Sequence, residues 1–354
     1  MTTSPKRLLF VLPRFHTNIY WATRALAEAG HTVSVIAFET KTEQELHDVI
    51  RPITAKDMPR EEFLAAIKTL QPECMIVRAS KEIFEWAALY SKKNLVPLIK
   101  YDLLPVPKPW RLPRWLGVGP EPASQKYRIS PVPKKSFDTK GTRKSFFLPF
   151  PVGPGDGKLH TKENKRLRVL CVGKLLQPRK NHIHVLSALS HFPQAQERLE
   201  LTFCGTTASC KGMSQDYYRD LRKQAAAMNA LAGVSFRENV KFEEMDQLYA
   251  AHDLCIMPSY AEPLGVAPLE AMSFGVIPFI SREAGASKYL RDGFNGYVID
   301  PHDPLSTGKK MLALLENDYL RFKMSERAKG FAQAELSGEA FVKRFEAILR
   351  RVGV

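Results

Sequence analysis

Along the first hundred residues, short apolar runs alternate with segments in which apolar positions recur every three or four residues. The runs 8–12, 32–38, 74–77 and 95–100 read as strands. The segments near 17–29, 60–70 and 83–92 read as helices, with Gly30 placed to end the first, because glycine takes the left-handed conformation that a C-terminal cap needs. Strands that alternate with helices imply a parallel sheet with helices on both faces. From Leu103 to Pro154 the texture changes. Eleven prolines, among them Pro105, Pro120, Pro131 and Pro151, are interspersed with Trp, Arg and Lys, and this predicts a stretch without continuous secondary structure.

The second half returns to the first pattern. Strands are predicted at 168–172, 199–204, 234–236, 254–257 and 276–280, with helices at 181–190, 215–229, 243–251 and 268–274 and further helices to Arg351. Two doubly wound α/β domains follow from this organisation. The expected divisions are 1–152, which includes the Pro-rich segment 103–148, and 165–336. Residues 337–354 form a last helix whose stripe of Phe341, Phe345 and Ile348 is expected to pack back on the N-terminal domain. Gly153, Gly155 and Gly157 mark the linker near 149–164.

A chain of 354 residues has room for two domains of ordinary size, and its 44% apolar and 25% charged content is that of a chain that folds around real cores. Five cysteines, several inside apolar runs such as Val169–Val172, fit buried thiols of a reduced, cytoplasmic protein better than disulfides. His182 and His184 lie two apart, a poor spacing for a shared metal, and no metal site is expected. The apolar run 8–13 falls far short of the ~20 residues of a membrane span and lacks the features of a signal peptide. The formal charge is +15, and residues 100–145 supply +8 of it, from eleven Lys/Arg against Asp102, Glu121 and Asp138. No zinc-finger, RRM or KH signature accompanies that charge, so nucleic acid is not an expected partner.

In open parallel sheets, ligands bind beyond the carboxyl ends of the strands. The strand 168–172 runs into Gly173-Lys174-Leu175-Leu176-Gln177-Pro178-Arg179-Lys180-Asn181, where glycine lets a ligand approach the backbone and two lysines flank a turn ahead of a helix. The strand 254–257 runs into Pro258-Ser259-Tyr260-Ala261-Glu262-Pro263-Leu264-Gly265-Val266-Ala267-Pro268-Leu269-Glu270. Pro268 suits the first turn of a helix, which leaves N–H groups near Gly265 and Val266 free to face an anion or a sugar oxygen. Glu262 and Glu270 can then accept from hydroxyls on separate parts of one ligand.

The Glu-x7-Glu pattern set in Glu-Pro-Leu-Gly-Val-Ala-Pro-Leu-Glu-Ala-Met, with Pro-Ser before it and Gly-Lys-x4-Arg-Lys about 85 residues earlier, resembles the retaining GT-B glycosyltransferases of family four, the glycosyl transferases group 1. The resemblance is specific across 168–305. It implies two Rossmann-like domains facing a central cleft and transfer of a sugar from a nucleotide-diphosphate sugar to a hydroxyl acceptor. By it, Lys174 and Lys180 neutralise the departing diphosphate, with Gly173 beside them, and Glu262 holds sugar hydroxyls. Leu264, Gly265 and Val266 lend backbone N–H groups, Glu270 accepts from the ribose, and Glu238 to Lys241 meet the base. The implied donor is a UDP- or GDP-hexose, and the acceptor a glycan or lipid-linked glycan.

The N-terminal half departs from the family. The usual Gly-Gly loop is missing, Lys288 stands where many members carry Glu, and the histidine common after the strand ending at Lys100-Tyr101-Asp102 is absent. His16 and Asp102 are the acceptor-side candidates. Lysines and helix N-termini can stabilise a leaving diphosphate without a metal, and no Asp-x-Asp triplet occurs, so a metal-independent enzyme without cofactor is expected. The alternative is a noncatalytic protein that binds a sugar nucleotide or polysaccharide. The basic segment, with Trp110 and Trp115, is also a candidate contact for an anionic membrane surface, which would place the protein peripherally at the inner face of the membrane. Neutralising residues 108, 111, 114, 134 and 135 is expected to abolish co-sedimentation with anionic liposomes, and unchanged co-sedimentation would remove the membrane contact.

Overall fold

The computed structural model describes residues 4–15, 17–39, 50–78, 81–105, 127–138, 141–155, 166–208, 212–228 and 233–354. The chain divides into two compact units, one of residues 1–151 with 335–354 and the other of 152–334.

The first unit is a parallel sheet built from β1 (Arg7–Arg14), β2 (Thr32–Glu39), β3 (Ile53–Thr54), β4 (Cys74–Arg78), β5 (Leu98–Tyr101), β6 (Tyr127–Ser130) and β7 (Ser145–Phe147). Its order is β3-β2-β1-β4-β5-β6-β7. The helices are α1 (Thr17–Glu28), α2 (Arg60–Leu70), α3 (Lys81–Asn94) and α10 (Gly338–Val352). Period-two alternation sorts the β1 side chains between two cores. Leu8, Phe10 and Leu12 join α1 and α10, whereas Leu9 and Val11 join Phe63 and Ile67 of α2 and Ala87 of α3. A strand buried on both faces reads as a continuous apolar run, which is why 8–12 shows no alternation in sequence.

Helix α10 begins at Ser337, whose hydroxyl caps the helix by accepting from Ala340 N–H. It buries Phe341, Phe345, Ile348 and Leu349 against the α1 side of the sheet. Phe341 stacks on Phe150 at 6.0 Å, and Arg344 donates to the carbonyl of Glu335 at 2.6 Å. Gly30 has φ 93° and caps α1.

The Pro-rich stretch corrects one expectation. It adds β6 and β7 to the sheet, because Arg128 N–H reaches Lys144 O at 2.8 Å and Leu148 N–H reaches Ser130 O at 2.9 Å. The prolines punctuate short strands here and do not prevent pairing. Trp110, Trp115 and basic positions 108, 111 and 114 lie outside the described residues.

The second unit is a six-stranded parallel sheet of β8 (Leu167–Val172), β9 (Leu199–Gly205), β10 (Gly233–Glu238), β11 (Leu254–Met257), β12 (Ile277–Ser281) and β13 (Tyr297–Ile299). Its order is β10-β9-β8-β11-β12-β13, so the winding reverses between β8 and β11. Helices α4 (Ile183–Ser190), α5 (Gln215–Met228) and α8 (Pro304–Glu316) cover the face that holds Leu167, Val169 and Cys171. Helices α6 (Phe242–Ala250) and α7 (Ala267–Met272) cover the other, with Leu170 and Cys255, and α9 (Asp318–Glu335) completes the unit.

At the amino ends of β8 and β11, Arg168 forks onto the buried Asp253 at 2.9 and 3.0 Å. This pair sets the register of the two strands that flank the reversal. Cys74, Cys171, Cys204 and Cys255 are free and buried, and burial pushes the Cys74 thiol up to about 12 and that of Cys204 to about 11. No helix among the described residues is long and apolar enough to cross a membrane.

Phe345, fully buried, anchors α10 in the first unit's core. Phe345→Ala is expected to cost about 3–5 kcal/mol in urea unfolding, as large-to-small changes in packed cores do. Lys343→Ala on the exposed face should stay within about 0.5 kcal/mol. Equal effects of the two changes would show that α10 is not anchored by this stripe.

Candidate functional site

Because β8 and β11 flank the winding reversal, their following loops converge at the carboxyl edge of the second sheet, where open α/β sheets bind ligands. The loop after β8 stays close to the sheet, since Gly173 N–H donates to Cys204 O at 2.9 Å and Leu175 N–H to Thr206 O at 3.1 Å. Gly205 permits this approach, for a Cβ there would fall 1.6 Å from Gly173 O. The loop then makes a 3-10 turn at Pro178–Lys180 and passes through Asn181 at φ 55°. Asparagine tolerates that left-handed conformation, and its amide donates to Pro258 O at 3.2 Å and Pro301 O at 3.1 Å, tying together the loops after β8, β11 and β13.

Lys180 is aimed at the loop after β11. Its ammonium donates to Glu262 Oε2 at 2.5 Å, and Arg179 Nη1 donates to the same oxygen at 2.7 Å. Burial by itself would raise the Glu262 carboxyl, but the charge and hydrogen bond of Lys180, followed by those of Arg179, outweigh it and hold the group below its ordinary range. The backbone around Glu262 is fixed on all sides. Ala261, at φ 44°, donates to Glu283 Oε2 at 3.2 Å, and Tyr260 N–H donates to Arg179 O at 2.8 Å. Glu262 O accepts from Gly285 N–H at 3.0 Å, and Leu264 O accepts from Ala286 N–H at 2.8 Å.

Gly265 turns the chain into α7 at φ 82°, where a Cβ would meet Met257 Cε at 2.1 Å. The left-handed conformation is what requires glycine, since the end of the flexible Met257 side chain could move aside. The N–H groups of Leu264, Gly265 and Val266 donate to no acceptor among the described residues, which leaves a row of donors ahead of the helix. Glu270, half-buried on α7, accepts from the Tyr249 hydroxyl at 2.8 Å. Burial raises its carboxyl, the Tyr249 hydrogen bond opposes this, and Asp246 adds to the rise. The two glutamates of the Glu-x7-Glu pattern therefore shift in opposite directions.

The remaining expected residues are less closely gathered. Lys174 is exposed at the start of the β8 loop and pairs with no acidic group among the described residues. Glu238, at the end of β10, accepts from the Tyr218 hydroxyl and lies 3.6 Å from Arg222, and Lys241 stands ahead of α6. Asp102 belongs to the first unit and is engaged there. Arg128 Nη2 reaches its Oδ1 at 2.5 Å and Leu104 N–H reaches the same oxygen at 2.9 Å, so the carboxylate closes a turn. His16 lies outside the described residues.

Sequence reasoning passed over Arg179, Asn181 and His182 as parts of this site. His182 is buried with its ring beneath Gly173, and a Cβ on Gly173 would lie 3.2 Å from Nε2. Burial, then the nearby Lys180 charge, lowers its pKa to about 3, so it stays neutral behind the cationic loop. Its Nδ1 lies 3.2 Å from the Tyr217 hydroxyl. His184 is engaged elsewhere, with Nε2 at 2.9 Å from Thr307 Oγ1. The one available signal was the run Arg-Lys-Asn-His itself, in which asparagine marks a left-handed turn.

Known proteins are similar to this chain in sequence and in fold. The family described as glycosyl transferases group 1 matches residues 158–331. A D-inositol 3-phosphate glycosyltransferase of Corynebacterium efficiens is 25% identical over 183 residues, which are 49% of this chain and 42% of that protein. One from Streptomyces coelicolor is 26% identical over 229 residues, 58% of this chain and 49% of that protein. The chain thus spans under half the length of these curated relatives. Among solved structures, a glycosyltransferase from Rickettsia africae superposes with a TM-score of 0.74 at 12% identity, covering 99% of both chains. Anabaena Alr3699/HepE in complex with UDP and glucose superposes with a TM-score of 0.71 at 15% identity, covering 97% of this chain and 99% of that one. The fold is GT-B, with two Rossmann-like α/β units on parallel sheets.

The opposite shifts of the two glutamates give opposite linkage. A carboxyl held low in the folded state contributes stability above its unfolded value of about 4.5, and that stability is lost as pH falls through the lowered pKa. Glu262→Gln should therefore cost about 1–3 kcal/mol at pH 7 and progressively less as pH falls through the lowered pKa. Glu270, held high, costs stability when ionised, so Glu270→Gln should be neutral or stabilising at pH 7, with the gain fading as pH falls. Urea midpoints across this pH range check both signs, and a larger loss for Glu270→Gln than for Glu262→Gln would contradict the assignment.

Proposed function

With residues 158–331 forming a domain of the glycosyl transferases group 1 family, we propose that the chain transfers a sugar from a nucleotide-diphosphate sugar to a hydroxyl acceptor. The observation that carries this reading is the meeting of Lys180 and Glu262 beside the free N–H groups of Leu264, Gly265 and Val266 at the winding reversal. On this reading Lys180 is the cation for a leaving phosphate, Glu262 the carboxylate for sugar hydroxyls, and the N–H groups of 264–266 a row of further donors.

In this reading the diphosphate lies against Lys180 and Lys174, whose charges stabilise it as the bond to the sugar breaks. Glu262 accepts from sugar hydroxyls while the N–H groups of 264–266 donate to sugar or phosphate oxygens. Glu270 accepts from the ribose hydroxyls. The residues from Glu238 to Lys241 meet the base. The anomeric configuration is retained, as the leaving phosphate takes the acceptor's proton on the face from which it departs. These lysines and backbone donors supply the positive potential, so the reaction requires no metal ion.

The donor is a UDP- or GDP-hexose. UDP and UDP-glucose bound to Anabaena Alr3699/HepE support the uridine choice, and the inositol phosphate in the names of the curated relatives supports a polyol or glycan hydroxyl as acceptor. The acceptor side falls to the first unit, where the carboxyl ends of β1 and β4 flank a second winding reversal.

Thermal-shift binding with UDP, GDP, ADP and their hexose conjugates tests the donor site. One nucleotide class should stabilise the protein at micromolar concentrations, and Lys180→Ala and Glu270→Ala should each weaken it about tenfold or more. Binding and donor hydrolysis should both persist in EDTA. Stabilisation by none of the nucleotides would sink the reading.

A further inference from the structure

Lys180 and Arg179 converge on one atom, Glu262 Oε2, at 2.5 and 2.7 Å, and the other carboxylate oxygen has no hydrogen bond among the described residues. The side chains of Glu262 and Lys180 are 12% and 13% exposed, so this charge cluster is screened little by water. Two cations against one carboxylate leave a net positive charge beside a row of unpaired N–H groups. A diphosphate, with several anionic oxygens, matches that excess better than the single carboxylate does.

We infer that Arg179 is a second diphosphate-binding cation beside Lys180, and that donor binding moves both cations from Glu262 to the diphosphate, which frees Glu262 for the sugar hydroxyls. The inference rests on the reading of Lys180 as a leaving-group contact. Its mechanism is competition between two anions for the same donors. While both cations sit on Oε2, the carboxylate is a poor acceptor for a sugar hydroxyl, and while it remains there it repels the incoming phosphate.

Side-chain rotations suffice for the exchange, because the backbone is held independently of it. Ala261 N–H is taken by Glu283 Oε2 at 3.2 Å, Glu262 O by Gly285 N–H at 3.0 Å, and Tyr260 N–H by Arg179 O at 2.8 Å. Asn181 holds the adjoining turn through Pro258 O and Pro301 O. Recognition of the leaving group and recognition of the sugar are consequently coupled through one carboxylate.

The coupling predicts opposite signs for one substitution. Titration calorimetry with UDP and GDP, and then with UDP-glucose and GDP-mannose, is carried out on the full chain and on Glu262→Gln, Arg179→Gln and Lys180→Ala. Glu262→Gln should tighten the free nucleoside diphosphate about fivefold to tenfold, yet lose the extra affinity that the sugar provides. Arg179→Gln should weaken the nucleoside diphosphate about tenfold. Its side chain is 43% exposed, so this variant tests the second cation even where Glu262→Gln folds poorly.

Weaker or unchanged diphosphate binding by Glu262→Gln would overturn the exchange while the donor site itself stood. Unchanged or tighter binding by Arg179→Gln would reduce Arg179 to a partner of Glu262. Binding of neither nucleotide by the unaltered chain would remove the exchange together with the reading it rests on.

Discussion

The contact between Lys180 and Glu262 joins two loops that are 82 residues apart in the chain and adjacent only because the sheet winds both ways from β8 and β11. Everything proposed for the second unit depends on that reversal. It brings the loops after β8 and β11 together at the carboxyl edge, and it places a lysine from one loop within hydrogen-bonding distance of a carboxylate from the other. The pair is costly to desolvate, and a structure keeps such a pair only when geometry and further hydrogen bonds compensate. Here Arg179 supplies a second donor, and Asn181, Glu283 and Gly285 fix the backbones on either side.

The site also controls where charge is permitted. His182 stands next to Lys180 and is kept neutral by burial and by that lysine, so no further positive charge accumulates under Gly173. Glu262 is held ionised by its cations, whereas Glu270 is pushed the other way by burial, with the Tyr249 hydroxyl as its partner. Two glutamates eight residues apart thus differ in readiness to carry charge. The difference comes from their partners, two cations for Glu262 and a hydroxyl for Glu270.

Rigid support lies at the far end of the same strands. Arg168 and Asp253 clamp β8 to β11 at their amino ends, which fixes the register from which both functional loops depart. The two glycines at the crossing of loop and sheet act by absence of a side chain. Gly205 admits the carbonyl of Gly173, and Gly265 admits the methyl end of Met257 while turning the chain into α7. In the first unit, the corresponding organisation depends on α10, which returns from the end of the chain to fill the core beside α1.

Much of this was legible in the residues. Parallel strands buried on both faces read as apolar runs, the stripe of Phe341, Phe345 and Ile348 read as a helix with one buried side, and the Glu-x7-Glu motif with its lysines marked the two loops that meet at the winding reversal. Local pattern carries such features because burial and helix period act over a few neighbours. The strands β3, β6, β7 and β13 escaped the reading, since each has at most four residues and exists by pairing with a strand already in place. Arg179, Asn181 and His182 were visible as residues but not as parts of a site. Their roles arise from partners more than 30 residues away in the chain, such as Glu262, Pro301 and Tyr217. Sequence by itself determined the two α/β units and the chemistry available to the second. Only tertiary structure decided that both cations settle on one oxygen of Glu262, because that depends on which loops the winding of the sheet makes neighbours.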